Sequence, residues 1–208
     1  MAEFALKPRT GFQGLAVPGR YGTTATGAPA LTIAERPHLT ITQISAFHGK
    51  TDAIAKAVLS AAALELPKTP KRVAAKELAL IGVAPSQWLA IAQGGEGRAL
   101  LARLAGALTG LASIVDQSDA KALLKVNGPR VRDVLAKGCA LDLHPRAFKP
   151  QDAATTQIAL IPCQLWQLDE APTFELAVPL SHARSFWSWL AASAAEFGYQ
   201  VRPPQTAS

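Results

Sequence analysis

Apolar and polar positions along residues 38–117 switch between two periods. Residues 39–47 carry the β-branched Thr40, Ile41, Thr42 and Ile44 and predict a strand. Ile54, Ala55, Val58, Leu59 and Ala62 then recur on one helical face behind Thr51 and Asp52, either of which can cap a first turn, and the stripe ends before Pro67. Short apolar runs at 77–83 and 87–92 predict two strands joined tightly at Ala84-Pro85-Ser86. Leu100, Leu101, Leu104, Ala105 and Leu108 form a second helical face that Gly110 stops, with a strand expected at 111–116. Strand, helix, strand, strand, helix, strand is the order of the ferredoxin-like split βαβ unit.

The second half repeats that order. Residues 121–126 predict a strand, and Gly128-Pro129 opens a helix whose buried face is Val131, Val134 and Leu135 and whose stop is Gly138. Residues 156–168 and 173–178 read as two strands joined at Asp169-Glu170-Ala171-Pro172, with Pro162 marking an edge or a bulge. A last helix, capped by Ser181, runs through Phe186, Trp187, Leu190, Ala194 and Phe197 to Gly198, before a short strand at 199–202. The expected fold is α+β: two tandem ferredoxin-like βαββαβ modules, at 38–117 and 118–208.

Residues 1–37 have neither period. Pro8, Pro18, Pro29 and Pro37 alternate with Gly11, Gly14, Gly19, Gly22 and Gly27, which predicts an extended N-terminal arm without regular structure. It lacks the continuous apolar stretch of a secretory signal, so export is not expected. Phe4, Leu6, Phe12, Leu15, Val17 and Tyr21 are more apolar than a solvated tail requires. Two readings stand: a disordered tail, or an arm that becomes ordered across a partner protein.

Composition narrows the classes. The chain has 208 residues, 49% of them apolar and only 17% charged, and a low charge fraction suggests a surface partly covered by other proteins. Cys139 and Cys163 have no partner at metal spacing and read as reduced thiols of a cytoplasmic protein. No apolar run is long enough to span a membrane. The net charge of +6 is spread out, and with aromatics at 6% it forms no basic, aromatic-interleaved surface for nucleic acid; it fits an acidic partner protein better.

Candidate chemistry is sparse. Gly94-Gly95-Glu96-Gly97 precedes a helix as a phosphate cradle does, but without the spacing of a dinucleotide fingerprint. His38, His48, His144 and His182 are isolated, so no metal site is expected. Asp142 and His144 would share a face if extended, which permits an Asp-oriented acid/base; just before Pro145 they equally suit local turn hydrogen bonds. Trp187 fits the core stripe of the last helix, whereas Trp189 must point elsewhere and suggests a contact surface, and Trp166 is open to either use. Arg130 and Arg132 sit in the first turns of a helix, against its dipole, which suits an acidic partner or simple solvation. No residue of this chain is assigned a catalytic, cofactor-binding or metal-binding role.

The ordered blocks between Ser113 and Leu190 are more specific. Val115-Asp116-Gln117-Ser118, then Val126-Asn127-Gly128-Pro129-Arg130-Val131-Arg132-Asp133-Val134-Leu135-Ala136-Lys137-Gly138-Cys139 resemble the central block of the gamma subunit family of heterotetrameric sarcosine oxidase. Leu141-Asp142-Leu143-His144-Pro145-Arg146-Ala147-Phe148, Phe174-Glu175-Leu176-Ala177-Val178-Pro179 and Ser181-His182-Ala183-Arg184-Ser185-Phe186-Trp187-Ser188-Trp189-Leu190 continue the resemblance in order. It implies a fold like that of the folate-binding aminomethyltransferases. It also implies a complex with alpha, beta and delta subunits, the alpha subunit being the main contact, that oxidatively demethylates sarcosine to glycine, hydrogen peroxide and a one-carbon unit for tetrahydrofolate. FAD, FMN, NAD, tetrahydrofolate and zinc are then expected in the other subunits.

The expected function is a non-catalytic structural subunit of that oxidoreductase complex. Two alternatives are a free-standing folate-dependent aminomethyl-transfer enzyme, in which Asp116 or Asp142 orients the amine, and the equivalent subunit of a complex oxidising another N-methyl amino acid.

Overall fold

Alternating side chains give the central strands of this molecule two faces, and the fold buries both. The computed structural model describes residues 9–23, 28–75 and 77–204. In chain order the strands and helices are β1 (Gly19–Tyr21), β2 (Leu31–Glu35), β3 (Thr40–Ala46), α1 (Thr51–Ala62), β4 (Arg72–Ala75), β5 (Leu78–Ala84), β6 (Gln87–Ala92), α2 (Gly94–Ala107), β7 (Ala112–Asp116), β8 (Lys121–Asn127), α3 (Val131–Ala136), β9 (Ala153–Ile158), β10 (Ile161–Asp169), β11 (Thr173–Pro179), α4 (Ala183–Ala195) and β12 (Tyr199–Val201). They build a five-stranded sheet, β4-β5-β6-β3-β7, and a seven-stranded sheet, β1-β12-β2-β8-β11-β10-β9.

One face of each sheet carries helices. Ile44, Leu78, Leu80, Trp88 and Ala90 pack beneath α1 and α2, and Leu124, Val126, Leu165, Phe174 and Leu176 beneath α3 and α4. The opposite faces meet. Leu39, Ile41, Ile81, Leu89, Ile91, Leu123, Ala153, Trp166 and Ala177 form a third apolar layer between the sheets, so the order of layers is helices, sheet, sheet, helices. At one corner the sheets are tied through their backbones: Arg72 N–H donates to the Gln151 carbonyl at 2.7 Å and Ala153 N–H to the Pro70 carbonyl at 2.9 Å.

The first module follows its expected order: β5-β6-β3-β7 is antiparallel throughout, with β4 added beside β5. In the second module the structure departs from expectation in three places. First, residues 9–23 and 28–37 are not an arm without regular structure. β2 inserts between β12, to which it is parallel, and β8, to which it is antiparallel, and β1 pairs with β12. Leu31 and Ile33 are fully buried and Phe12 is 1% exposed. The strand was hidden because its five residues are flanked by Pro and Gly and its alternation spans only two buried apolar positions. Phe4 and Leu6 lie outside the described residues.

Second, the long strand expected at 156–168 divides into β9 and β10 at a two-residue turn, Ala159-Leu160, where both residues have positive φ, 51° and 66°. Such a turn normally recruits Asn-Gly, which is why the sequence carried no signal for it. Pro162 lies in β10 beyond the stretch paired with β11, so its missing N–H costs no central ladder bond. Third, Ser181 makes no cap bond. A 3-10 turn, Leu180–His182, leads into α4, and the Ser181 hydroxyl lies 3.1 Å from His182 Nδ1. Gly128 marks where the N-terminal segment enters the sheet: with φ at 132°, a Cβ there would lie 2.3 Å from the Ala30 carbonyl oxygen.

Candidate functional site

Between the two sheets the apolar layer is interrupted by one group of charges. Alternation in β11 sends Phe174, Leu176 and Val178 toward the helices, and so sends Glu175 between the sheets, where it is 5% exposed. Trp166 stands directly opposite on β10, and its indole N–H donates to Glu175 Oε2 at 2.7 Å. The other carboxylate oxygen pairs with the Arg36 guanidinium, which follows β2. Arg36 also donates from Nη2 to Gln93 Oε1 at 2.6 Å, linking the end of β2 to the end of β6. Arg72 of β4 approaches from the five-stranded sheet and donates from Nη1 to Gln151 Oε1 at 2.9 Å. Its Nε is buried with no hydrogen-bond partner among the described residues. Burial lowers the Arg72 pKa from its usual value; the Glu175 charge opposes that shift and the Arg36 charge adds to it.

Arg36, Arg72, Glu77, Gln93, Trp166 and Glu175 line a cavity of about 200 Å³. One oxygen of Glu175 accepts from Arg36 and the other from Trp166, so the arrangement holds charge in place between the sheets. Sequence reasoning missed this group. The available signal was Glu175 itself, a charge inside the otherwise apolar run Phe174 to Val178. Pockets for drug-sized ligands span roughly 300–1,000 Å³. The cavity around Arg36 and Glu175 is smaller than that.

The candidates read from the sequence are scattered and mostly occupied. Asp142 Oδ1 accepts the His144 N–H at 2.9 Å and His144 Nδ1 accepts the Arg146 N–H at 3.2 Å; both side chains are exposed, in a loop and not a strand. Asp116 accepts the Ser118 N–H at 2.8 Å and its hydroxyl at 2.6 Å, and these bonds lower its pKa. Gly94 to Gly97 form the first turn of α2, but Gly97 N–H donates at 2.9 Å to Glu77 Oε2, so the chain's own carboxylate sits where a phosphate would. No group of three His, Cys, Asp or Glu able to hold a metal occurs among the described residues.

Trp189, Arg130 and Arg132 all make contacts within the chain. Trp189 is half-buried against Phe186 and over Gly138, where a Cβ would lie 2.6 Å from its ring. Two tryptophans two positions apart both reach the core because this glycine lets the second lie flat. Trp187 packs near Phe12, with ring centroids 6.4 Å apart. Arg130 pairs with Asp133 at 2.8 Å and stacks over Phe197, while Arg132 donates to the Leu143 carbonyl at 2.7 Å. Local packing offsets the unfavourable helix position, so neither arginine requires an acidic partner.

Cys139 and Cys163 are free and buried, and burial pushes the Cys163 thiol well above its ordinary pKa. We expect no reaction of Cys163 with a thiol-specific disulfide reagent in the native chain, and full reaction after unfolding in guanidinium. Rapid labelling of Cys163 in the native state would contradict its place in the core.

The model of the sarcosine oxidase, gamma subunit family matches residues 48–196, well over half of the chain. The chain belongs to this family. A sarcosine oxidase subunit gamma from Arthrobacter sp is 38% identical over 104 residues, covering 50% of this chain and 50% of that protein, so the match to this curated relative spans half of its length. Among solved structures, a chain of the heterotetrameric sarcosine oxidase from Corynebacterium sp. U-96, in complex with pyrrole 2-carboxylate, superposes with a TM-score of 0.78 at 28% identity, covering 91% of this chain and 96% of that one. The glycine cleavage system aminomethyltransferase T from Bartonella henselae superposes with a TM-score of 0.60 at 16% identity, covering 85% of this chain and 48% of that one, and so shares the fold. The fold expected from strand order and resemblance is the fold observed, and the resembling blocks between Ser113 and Leu190 fall within the family match.

Proposed function

We propose that this chain is a structural subunit of a heterotetrameric sarcosine oxidase, packing chiefly against the alpha subunit and stabilising it without supplying catalytic groups. The observation that carries this reading is the superposition along nearly the whole length of a chain from such a complex. The complex oxidises sarcosine to glycine, yielding hydrogen peroxide and a one-carbon unit for tetrahydrofolate. FAD, FMN, NAD, tetrahydrofolate and zinc reside in the other subunits. Two features of this chain support a role in assembly. Asp116, Asp142 and His144, the residues best suited to chemistry, spend their hydrogen bonds on their own turns. At the β9–β10 turn, Leu160 is 87% exposed although two successive non-glycine residues hold positive φ. Such backbone costs roughly 1–2 kcal/mol per residue and is what the two-residue hairpin demands; the exposed Leu160 at its tip is apolar surface that a partner subunit would cover.

In the assembled complex, we expect a chain carrying Asp116→Asn, Asp142→Asn and His144→Ala to support sarcosine turnover within about twofold of the unaltered complex. A fall of about a hundredfold in kcat with normal assembly would restore the aminomethyl-transfer reading, in which one of these groups orients the amine.

A further inference from the structure

The seven-stranded sheet ends on β9, whose outer edge is closed at both ends and open between them. At one end Lys71 bridges Asp152 and Ala153 N–H donates to the Pro70 carbonyl; at the other Cys139 bridges Ile158. Backbone groups of an antiparallel strand point alternately toward and away from the neighbouring strand. Ala153 N–H points away from β10, so the N–H and C=O of Thr155 do too. Thr155 is exposed, and neither group has a backbone partner among the described residues. A free edge of this kind is a template for another strand.

The open stretch borders a groove of about 460 Å³, inside the range of roughly 300–1,000 Å³ typical of binding pockets. Its opposite wall is apolar. Trp88 is 3% exposed and is fixed by its N–H to the Pro67 carbonyl at 2.8 Å, and Pro70, Val83 and Pro85 continue the lining. β5 bulges between Gly82 and Ala84, and the Val83 carbonyl accepts the Thr155 hydroxyl at 2.7 Å, so the Thr155 side chain ties the sheets together while its backbone stays free. Charge at the groove has one sign. Lys68 lines it and no carboxylate does, and Lys68 makes no ion pair among the described residues, whereas the neighbouring Lys71 is taken by Asp152.

We infer that this groove receives an extended segment of a partner subunit, which pairs its backbone with Thr155 on β9, sets apolar side chains against Trp88 and the prolines, and brings a carboxylate to Lys68. The inference rests on the subunit role proposed above and gives that role a place on the surface. Each feature selects the occupant. An unpaired strand edge takes extended backbone, and the apolar wall takes the alternate side chains of one strand face. A helix does not satisfy Thr155, because its own N–H and C=O groups are spent internally. The unpaired lysine favours an acidic side chain over a basic one.

The test uses the full-length chain, alone and in the assembled complex. Hydrogen exchange of the Thr155 amide is compared between the two states, and strong protection is expected only in the complex. Full-length variants then compete with a tagged unaltered chain for incorporation during co-expression with the other subunits. Thr155→Pro, which removes the outward N–H, and Lys68→Glu, which reverses the charge, are expected to enter at least about tenfold less often. Thr155→Val, which keeps the amide and loses the hydroxyl, and the exposed control Lys56→Glu on α1 are expected to compete equally. Lys68 is an exposed side chain outside the sheets, so its variant keeps the test decisive if Thr155→Pro fails to fold. Equal Thr155 exchange in both states, equal competition by Lys68→Glu, or a matching loss in Lys56→Glu overturns the groove as the docking place and leaves the subunit role standing. An unaltered chain that enters no complex overturns both.

Discussion

Glu175→Ala is expected to lower the unfolding free energy of the chain by about 3–5 kcal/mol, because it strands a buried guanidinium and a buried indole N–H at once. Arg36 has a side-chain exposure of only 17%, so water cannot replace its lost partner fully. The same reasoning gives the opposite result for a paired replacement. Arg36→Met with Glu175→Leu removes both charges, and the double variant should recover most of the loss. Urea unfolding of the three proteins checks both statements. A loss below about 1 kcal/mol for Glu175→Ala would mean that the pair is solvated and that the charge group is not a buried one.

A chain that begins at His38 is expected not to fold. It loses Leu31 and Ile33, fully buried, and Phe12, at 1% exposure. At about 1.5–3 kcal/mol per fully buried large apolar side chain, these three account for a loss comparable to the whole stability of about 5–15 kcal/mol of an ordinary domain. The truncation also opens the sheet, because β8 and β12 lose the strand that both pair with. Circular dichroism and thermal unfolding of the purified fragment decide the matter. A cooperative transition near that of the full chain would return residues 1–37 to the status of a dispensable arm.

The two predictions depend on features that were unevenly legible in the sequence. Helix stripes such as Ile54, Val58 and Leu101, Leu104 were readable because a single face repeats every three to four residues and is buried in one place. The order of elements in the first module followed from them. β2 was not readable: five residues with two deeply buried apolar positions, set among prolines and glycines, give too short a signal, and their partners β8 and β12 are about a hundred or more residues away in sequence. The turn at Ala159-Leu160 was invisible for a different reason, since it uses residues that turns of this kind avoid.

The charge group shows a similar limit. Glu175 is a carboxylate in an otherwise apolar strand, but nothing local joins it to Arg36, 139 residues away, or to Arg72 on the other sheet. Only the stacking of two sheets brings the three together. The tryptophans teach the reverse lesson. Trp189 reads as outward-facing by helical geometry, yet lies half-buried against the core because Gly138 has no side chain to block it. Low overall charge, finally, remains consistent with a surface covered by other subunits, while Arg130 and Arg132, which suit an acidic partner or simple solvation, are engaged within the chain.

The central claim is that this chain works as one subunit of an oxidase. The most direct test is co-expression with the genes for the alpha, beta and delta subunits, with an affinity tag on this chain alone, followed by size-exclusion chromatography with light scattering and flavin absorbance. The account predicts a single species containing all four chains in equal number, with bound flavin and sarcosine-dependent peroxide formation. Elution of the chain by itself, free of flavoprotein, while the remaining subunits assemble and turn over sarcosine without it, would contradict the account.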